Sequence, residues 1–102
     1  MNNSNNVFHA IADESRRKMI VMLSQKSMHV NEIAGNFNFS RPAVSKHLRI
    51  LTDAGILKQS KSGRERLYSF NPVKMQVVFG WLKFYDKFWD KKLAALKSFA
   101  ET

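Results

Sequence analysis

A mainly α fold carrying one small β-hairpin is what the sequence predicts, and three observations predict it. Residues 40–56, SRPAVSKHLRILTDAGI, read as a helix marked at both ends. On either side of it, apolar residues recur at the three- and four-residue spacing that puts them on one helix face. Between 57 and 70 that spacing stops, and two strand-like runs flank a Ser62-Gly63 turn.

The elements follow in chain order. After an Asn/Ser-rich tail expected to fray, Val7 to Ala12 predicts a short helix with Phe8, Ile11 and Ala12 inward. Asp13 is the N-cap of a second helix, Glu14 to about Ser24. Its seam is Met19, Ile20 and Leu23, and its outer face is assigned Arg16, Arg17 and Lys18. A third helix is expected from about Val30 to Phe37, with Ile33, Ala34 and Phe37 inward. His29 is a poor cap for it, and Gly35 costs ~1 kcal/mol relative to Ala, so packing has to hold it. Asn38 is expected to take a left-handed conformation in the tight link Asn38-Phe39-Ser40.

The capped helix comes next. Ser40 is a good N-cap, Pro42 is tolerated in the first turn, and Phe39 is placed to pack on Val44 as a hydrophobic staple. Val44, Leu48 and Leu51 share the buried side, which turns Pro42, Ser45, Lys46 and Arg49 outward. Gly55 suits the left-handed position after the last turn and sets Ile56 against Leu51. Two short helices joined by a three-residue turn are a helix-turn-helix. The hairpin that follows, with Lys61, Ser62, Gly63 and Arg64 at its tip, is a wing. The fold class is therefore a winged helix-turn-helix.

Asn71 and Pro72 then start a last helix, as N-cap and first helical residue, running to about Phe99. Val78, Trp81, Leu82, Tyr85, Phe88, Trp89, Leu93 and Leu96 make a continuous apolar stripe along it. A helix of this length spans ~40 Å, more than a domain this small covers alone, so a homodimer is expected. The residues assigned to that interface are Phe8, Val78, Trp81, Leu82, Tyr85, Phe88 and Trp89. The 102 residues form one domain, 1–102, with a core at 7–70, its wing at about 57–70, and a dimerisation helix at 72–99.

Charge points to the partner. The net charge is +9, and the stretch from Arg41 to Arg66 carries +5 of it in about a quarter of the chain. Such a basic segment implies an anionic partner. Absence of cysteine excludes disulfides, thiolate metal sites and thiol redox chemistry. The start, MNNSNN, has no apolar core of a signal peptide, and no run approaches the ~18 apolar residues of a membrane span. A cytoplasmic protein is expected, with no membrane partner.

The order and spacing of these pieces resemble the arsenic-repressor (ArsR/SmtB) family of bacterial winged-helix regulators over nearly the whole chain. The matching residues are Val7 to Asp13 with Ser15-Arg16-Arg17, then Glu32-Ile33-Ala34, and Ser40 to Leu48. Ala54-Gly55-Ile56-Leu57 and Gly63-Arg64 through Tyr68 complete them. The tail Trp81 to Tyr85 with Phe88-Trp89 and Lys92-Leu93 is similar to a subgroup lacking metal sites. The resemblance implies a repressor that binds double-stranded operator DNA as a homodimer. It also raises metal sensing, and there the residues depart from the family pattern. Residues 30–37 have no Cys, and the last helix offers Asp86 and Asp90 without a His. Two carboxylates are a poor transition-metal site, so no metal or cofactor is expected. A small-molecule inducer, if there is one, is not legible in the residues.

The candidate DNA-binding residues are Ser40, Arg41, Pro42, Ser45, Lys46, His47 and Arg49 on the helix, with Lys61, Arg64 and Arg66 on the wing. An Arg forks to a guanine edge, Ser and Lys serve phosphate or base, and a helix N-terminus attracts phosphate. His47 lies on the flank of the buried seam, suited to half-buried packing or a phosphate. His9 and His29 are far apart and are not assigned as ligands. Asp86 and Asp90 could mimic paired catalytic acids, but Lys83, Lys87 and Lys91 surround them, so surface ion pairs are expected. No nucleophile or phosphate loop accompanies them, so no catalytic residue and no enzyme activity are expected. The alternative reading is a protein- or membrane-interaction module that uses the aromatic, Lys-rich last helix.

Overall fold

A computed structural model describes residues 6–101. The fraying expected of the first residues falls at 1–5, outside the described residues. In chain order the elements are α1 (Val7–Ile11), α2 (Glu14–Gln25), β1 (Met28–His29), α3 (Val30–Ala34) and α4 (Arg41–Asp53). Then come β2 (Leu57–Ser62), β3 (Glu65–Phe70), a 3-10 turn (Pro72–Met75) and α5 (Gln76–Glu101).

Caps set most helix boundaries. Asn6 Oδ1 accepts from the N–H groups of Phe8 and His9 at 2.8 and 3.2 Å and opens α1. Asp13 Oδ2 accepts from Arg16 N at 3.0 Å and opens α2 as expected. At α3, Glu32 supplies what His29 lacks, its Oε1 accepting from His29 N at 3.1 Å. Ser40 Oγ accepts from Ala43 N at 3.3 Å. At the far end of α4, Gly55 sits at φ 81°, Gly55 N donates to Thr52 O at 2.9 Å, and Ile56 N donates to Leu51 O at 3.0 Å. These are the two bonds of a Schellman motif, so both the helix and its exit direction are determined locally.

The core is where these helices meet. Met19 and Leu23 of α2, Ile33 of α3, and Val44, Leu48 and Leu51 of α4 are buried together with Ile56, Leu57 and Tyr68. Each large side chain fully removed from water stabilises by ~1.5–3 kcal/mol. β3 is the middle of a three-stranded antiparallel sheet, ordered β1-β3-β2. In the hairpin, Leu57 pairs with Phe70 and Ser62 with Glu65, leaving Gly63 and Arg64 as a two-residue turn. Gly63 takes φ 66° in the first turn position, which only glycine adopts without strain.

Several expectations are corrected. Arg16 does not face solvent; it is 8% exposed. In α1 the buried residue is Ala10, while Ala12 is exposed and Phe8 is 41% exposed, its ring edge-on to Trp81 at 6.2 Å. Helix α3 ends at Ala34, three residues early, and Gly35 caps it. No non-glycine residue among those described has a positive φ, so Asn38 is not left-handed. The connection simply starts earlier and needs no special backbone. Phe39 lies against Phe37 at 5.0 Å and edge-on to His47 at 5.6 Å. The last helix begins as a 3-10 turn, with Asn71 Oδ1 accepting from Val73 N at 3.4 Å. Strand β1, two residues long, had no turn signal to announce it. Asp86 and Asp90 form no ion pair among the described residues, where the pairs are Lys26–Glu32, His29–Glu65 and Arg49–Asp53.

Candidate nucleic-acid interface

Helix α4 and the wing stand either side of a cleft of about 640 Å³. Arg41, Ser45, Arg49 and Thr52 line it from the helix, and Gln59, Arg64, Glu65 and Arg66 from the hairpin. The local causes are plain. Burial of Val44, Leu48 and Leu51 fixes the rotation of α4, so the residues between them turn outward. The Schellman turn at Gly55 folds the chain straight into β2, and Asn71 holds the other end of the hairpin. Its N–H donates to Ile56 O at 2.8 Å and its Nδ2 to Gly55 O at 3.1 Å. Helix and wing are thus anchored at the same corner.

Four arginines converge on this cleft, against Asp53 and Glu65. Asp53 barely engages Arg49: the pair is 3.9 Å apart, and the Arg49 side chain is 84% exposed. Glu65 is drawn instead toward His29, with Oε2 3.5 Å from Nδ1. Arg66 NH1 donates to Gln59 Oε1 at 3.3 Å across the hairpin, which steadies one guanidinium. A surface of this kind offers fork-shaped donors from two directions, matching phosphate oxygens and guanine edges.

The candidate residues separate accordingly. Arg41, Ser45, Arg49, Arg64 and Arg66 share the cleft. Pro42 and Lys46 are exposed on α4 outside it, and Lys61 is exposed on β2, paired in register with Arg66. Ser40 is occupied as the N-cap. His47 is half-buried on the other flank of α4, against Phe39 and Arg16. In the dimer set, Val78 is already buried within the chain, whereas Trp81, Leu82, Tyr85, Phe88 and Trp89 are each about 40–50% exposed. Trp81 stacks on Tyr85 at 5.1 Å, and Tyr85 meets Trp89 edge-on at 5.7 Å, so the stripe is a preformed aromatic ladder.

Arg16 is the residue that sequence reasoning missed. Its Nε donates to Ala10 O at 2.7 Å and its NH2 to His9 O at 3.2 Å, satisfying carbonyls at the end of α1. NH1 lies 3.2 Å from His47 Nδ1. Spacing could have found it, because positions 16, 19, 20 and 23 share one helix face. Its charge argued for solvent and outweighed the periodicity.

The comparisons with known proteins agree with this geometry. A family model described as "Bacterial regulatory protein, arsR family" matches residues 13–59. The chain is similar to "Transcriptional repressor SdpR" of Bacillus subtilis, 39% identical over 84 residues that cover 81% of this chain and 93% of that protein. It is 33% identical to "HTH-type transcriptional regulator Rv2034" of Mycobacterium tuberculosis, over 84% of this chain and 78% of the relative. Among solved structures, an ArsR-like transcriptional regulator from Rhodococcus sp. RHA1 superposes with a TM-score of 0.72 at 32% identity, covering 93% of this chain and 87% of that one. The chain belongs to the ArsR family of winged-helix, DNA-binding transcriptional regulators, and it is a regulator rather than an enzyme.

Proposed function

We propose that this chain is a repressor that binds a palindromic operator as a homodimer, one cleft per half-site. The observation that carries the reading is the convergence of Arg41, Ser45 and Arg49 on α4 with Arg64 and Arg66 on the wing. Helix α4 enters the major groove, its residues Ser45, Lys46 and Arg49 read base edges, and its N-terminus at Ser40, Arg41 and Pro42 approaches phosphate. Lys61, Arg64 and Arg66 on the wing hold the backbone or the adjacent minor groove. Residues 7–70 serve as the DNA-binding core and 72–99 as the dimerisation helix of a single domain. The second copy covers the ladder of Trp81, Leu82, Tyr85, Phe88 and Trp89, with Phe8 at its edge. Blocking promoter DNA is sufficient for repression, and the cytoplasm is where that DNA lies. Metal control is not part of the proposal: the described residues hold no group of three or more His, Cys, Asp or Glu side chains suited to an ion.

Selection of bound duplexes from a random pool tests the reading. The expected product is an imperfect palindrome with half-site centres ~10–10.5 bp apart, or a multiple of that. On the selected duplex, Arg49→Ala costs ~1–3 kcal/mol and relaxes the preference at one base position. Arg64→Ala weakens all sequences alike and makes the salt dependence shallower. Recovery of no preferred sequence at physiological salt overturns the proposal.

A further inference from the structure

Arg16 is a buried cation in no ion pair among the described residues, and every bond of its side chain goes outside its own helix. A guanidinium has only donors to give. The 3.2 Å contact from NH1 to His47 Nδ1 therefore requires Nδ1 to be the acceptor, which places the ring proton of a neutral imidazole on Nε2. Among the described residues that nitrogen has no hydrogen-bond partner, and it is not one of the buried unpartnered atoms, so it reaches the surface. It does so on the flank of α4 away from the wing, where a helix lying in a groove faces the other phosphate strand.

We propose that Arg16 is a positioning residue for DNA binding: it locks His47 with its proton on Nε2, aimed as a neutral donor at a backbone phosphate oxygen. The inference rests on the DNA-binding reading above and adds to it a contact on the second strand. The lock also ties α4 to the end of α1, because the same guanidinium holds the carbonyls of His9 and Ala10. A neutral donor orients the helix without displacing counterions, so its loss weakens binding while leaving the salt slope unchanged.

Two measurements test this on the full chain. Ring 15N and 1H shifts of His47 in the free protein should show the Nε2–H form in wild type and a mixture of tautomers in Arg16→Lys. In duplex titrations, His47→Leu and Arg16→Lys should each weaken binding about tenfold at constant salt slope. His47→Gln should restore affinity to within about twofold, since its amide accepts from Arg16 and donates to phosphate. His47 is half-buried rather than in the core, so its variants keep the experiment decisive even where Arg16→Lys does not fold. A wild-type ring protonated on Nδ1, or His47→Leu with wild-type affinity, overturns the proposal. If wild type selects no duplex at all, the DNA-binding reading falls first, and the ring shifts still report whether the lock exists.

Discussion

Asp13 shows how much one small side chain decides. Its carboxylate accepts the Arg16 N–H, and chiefly this bond holds its pKa below the ordinary 3.8 against a smaller opposing effect of burial. Glu32 is likewise held below its ordinary 4.5, chiefly by the His29 N–H and then by Lys26. The sign follows from linkage. A carboxyl with a depressed folded value contributes stability that is fully present above its ordinary value and is lost as pH falls through the folded one. Stability should therefore be flat from neutral pH down to about 4.5 on account of these two groups and decline in stronger acid. Asp13→Ala should lose ~1 kcal/mol at pH 7, the usual worth of an N-cap. Asp13→Asn should keep the cap at neutral pH and lessen the acid decline. Urea melts at a series of pH values check both, and an Asp13→Ala protein as stable as wild type would remove the cap from the account.

At the scale of elements, α4 and its exit were legible in the sequence because short-range rules settle them. Ser40, Pro42, the 44-48-51 seam and Gly55 each act within one or two turns, and the structure matches every one. Gly55 makes the sharpest test. A Cβ there would stand at φ 81° and 2.8 Å from Lys74 Cγ, whereas Gly63, at φ 66°, meets nothing within 4 Å. Gly55→Ala should cost more than the ~1–2 kcal/mol of a left-handed alanine alone, and Gly63→Ala about that amount. Thermal or urea unfolding of the two variants gives the comparison, and equal losses would mean that Lys74 moves aside freely. What the sequence did not reveal depended on distant partners. Strand β1 exists only because Met28 and His29 pair with Tyr68 and Leu67. The burial of Arg16 needs carbonyls from α1 and an imidazole from α4. The extent of α3 is cut short where Gly35 replaces a helix former. In the candidate site, the cationic positions were readable residue by residue, but their gathering into one cleft was not, since it depends on the corner held by Asn71.

For the whole molecule the decisive element is α5, whose 26 residues bury Val78 alone while Trp81, Tyr85, Phe88 and Trp89 remain substantially exposed. Among the described residues no helix is long and apolar enough to cross a membrane. An exposed apolar stripe of this length marks an interaction surface, which the proposed second copy covers. Trp81→Ala combined with Phe88→Ala should convert the proposed dimer to monomers or aggregates. Operator affinity should fall by ~10²-fold or more, because a monomer loses the effective concentration of its second half-site. Sedimentation and operator titration of this double variant decide the point, and a soluble dimer of wild-type affinity would assign the ladder another role. In the proposed dimer, a helix that lies on so little of its own chain has its order set by how many copies are nearby. For that dimer, abundance is itself an input: a cell that halves its stock removes more than half of the dimer. In that proposed assembly the aromatic ladder works as a counter of copies, setting a threshold dose below which the operator stands open.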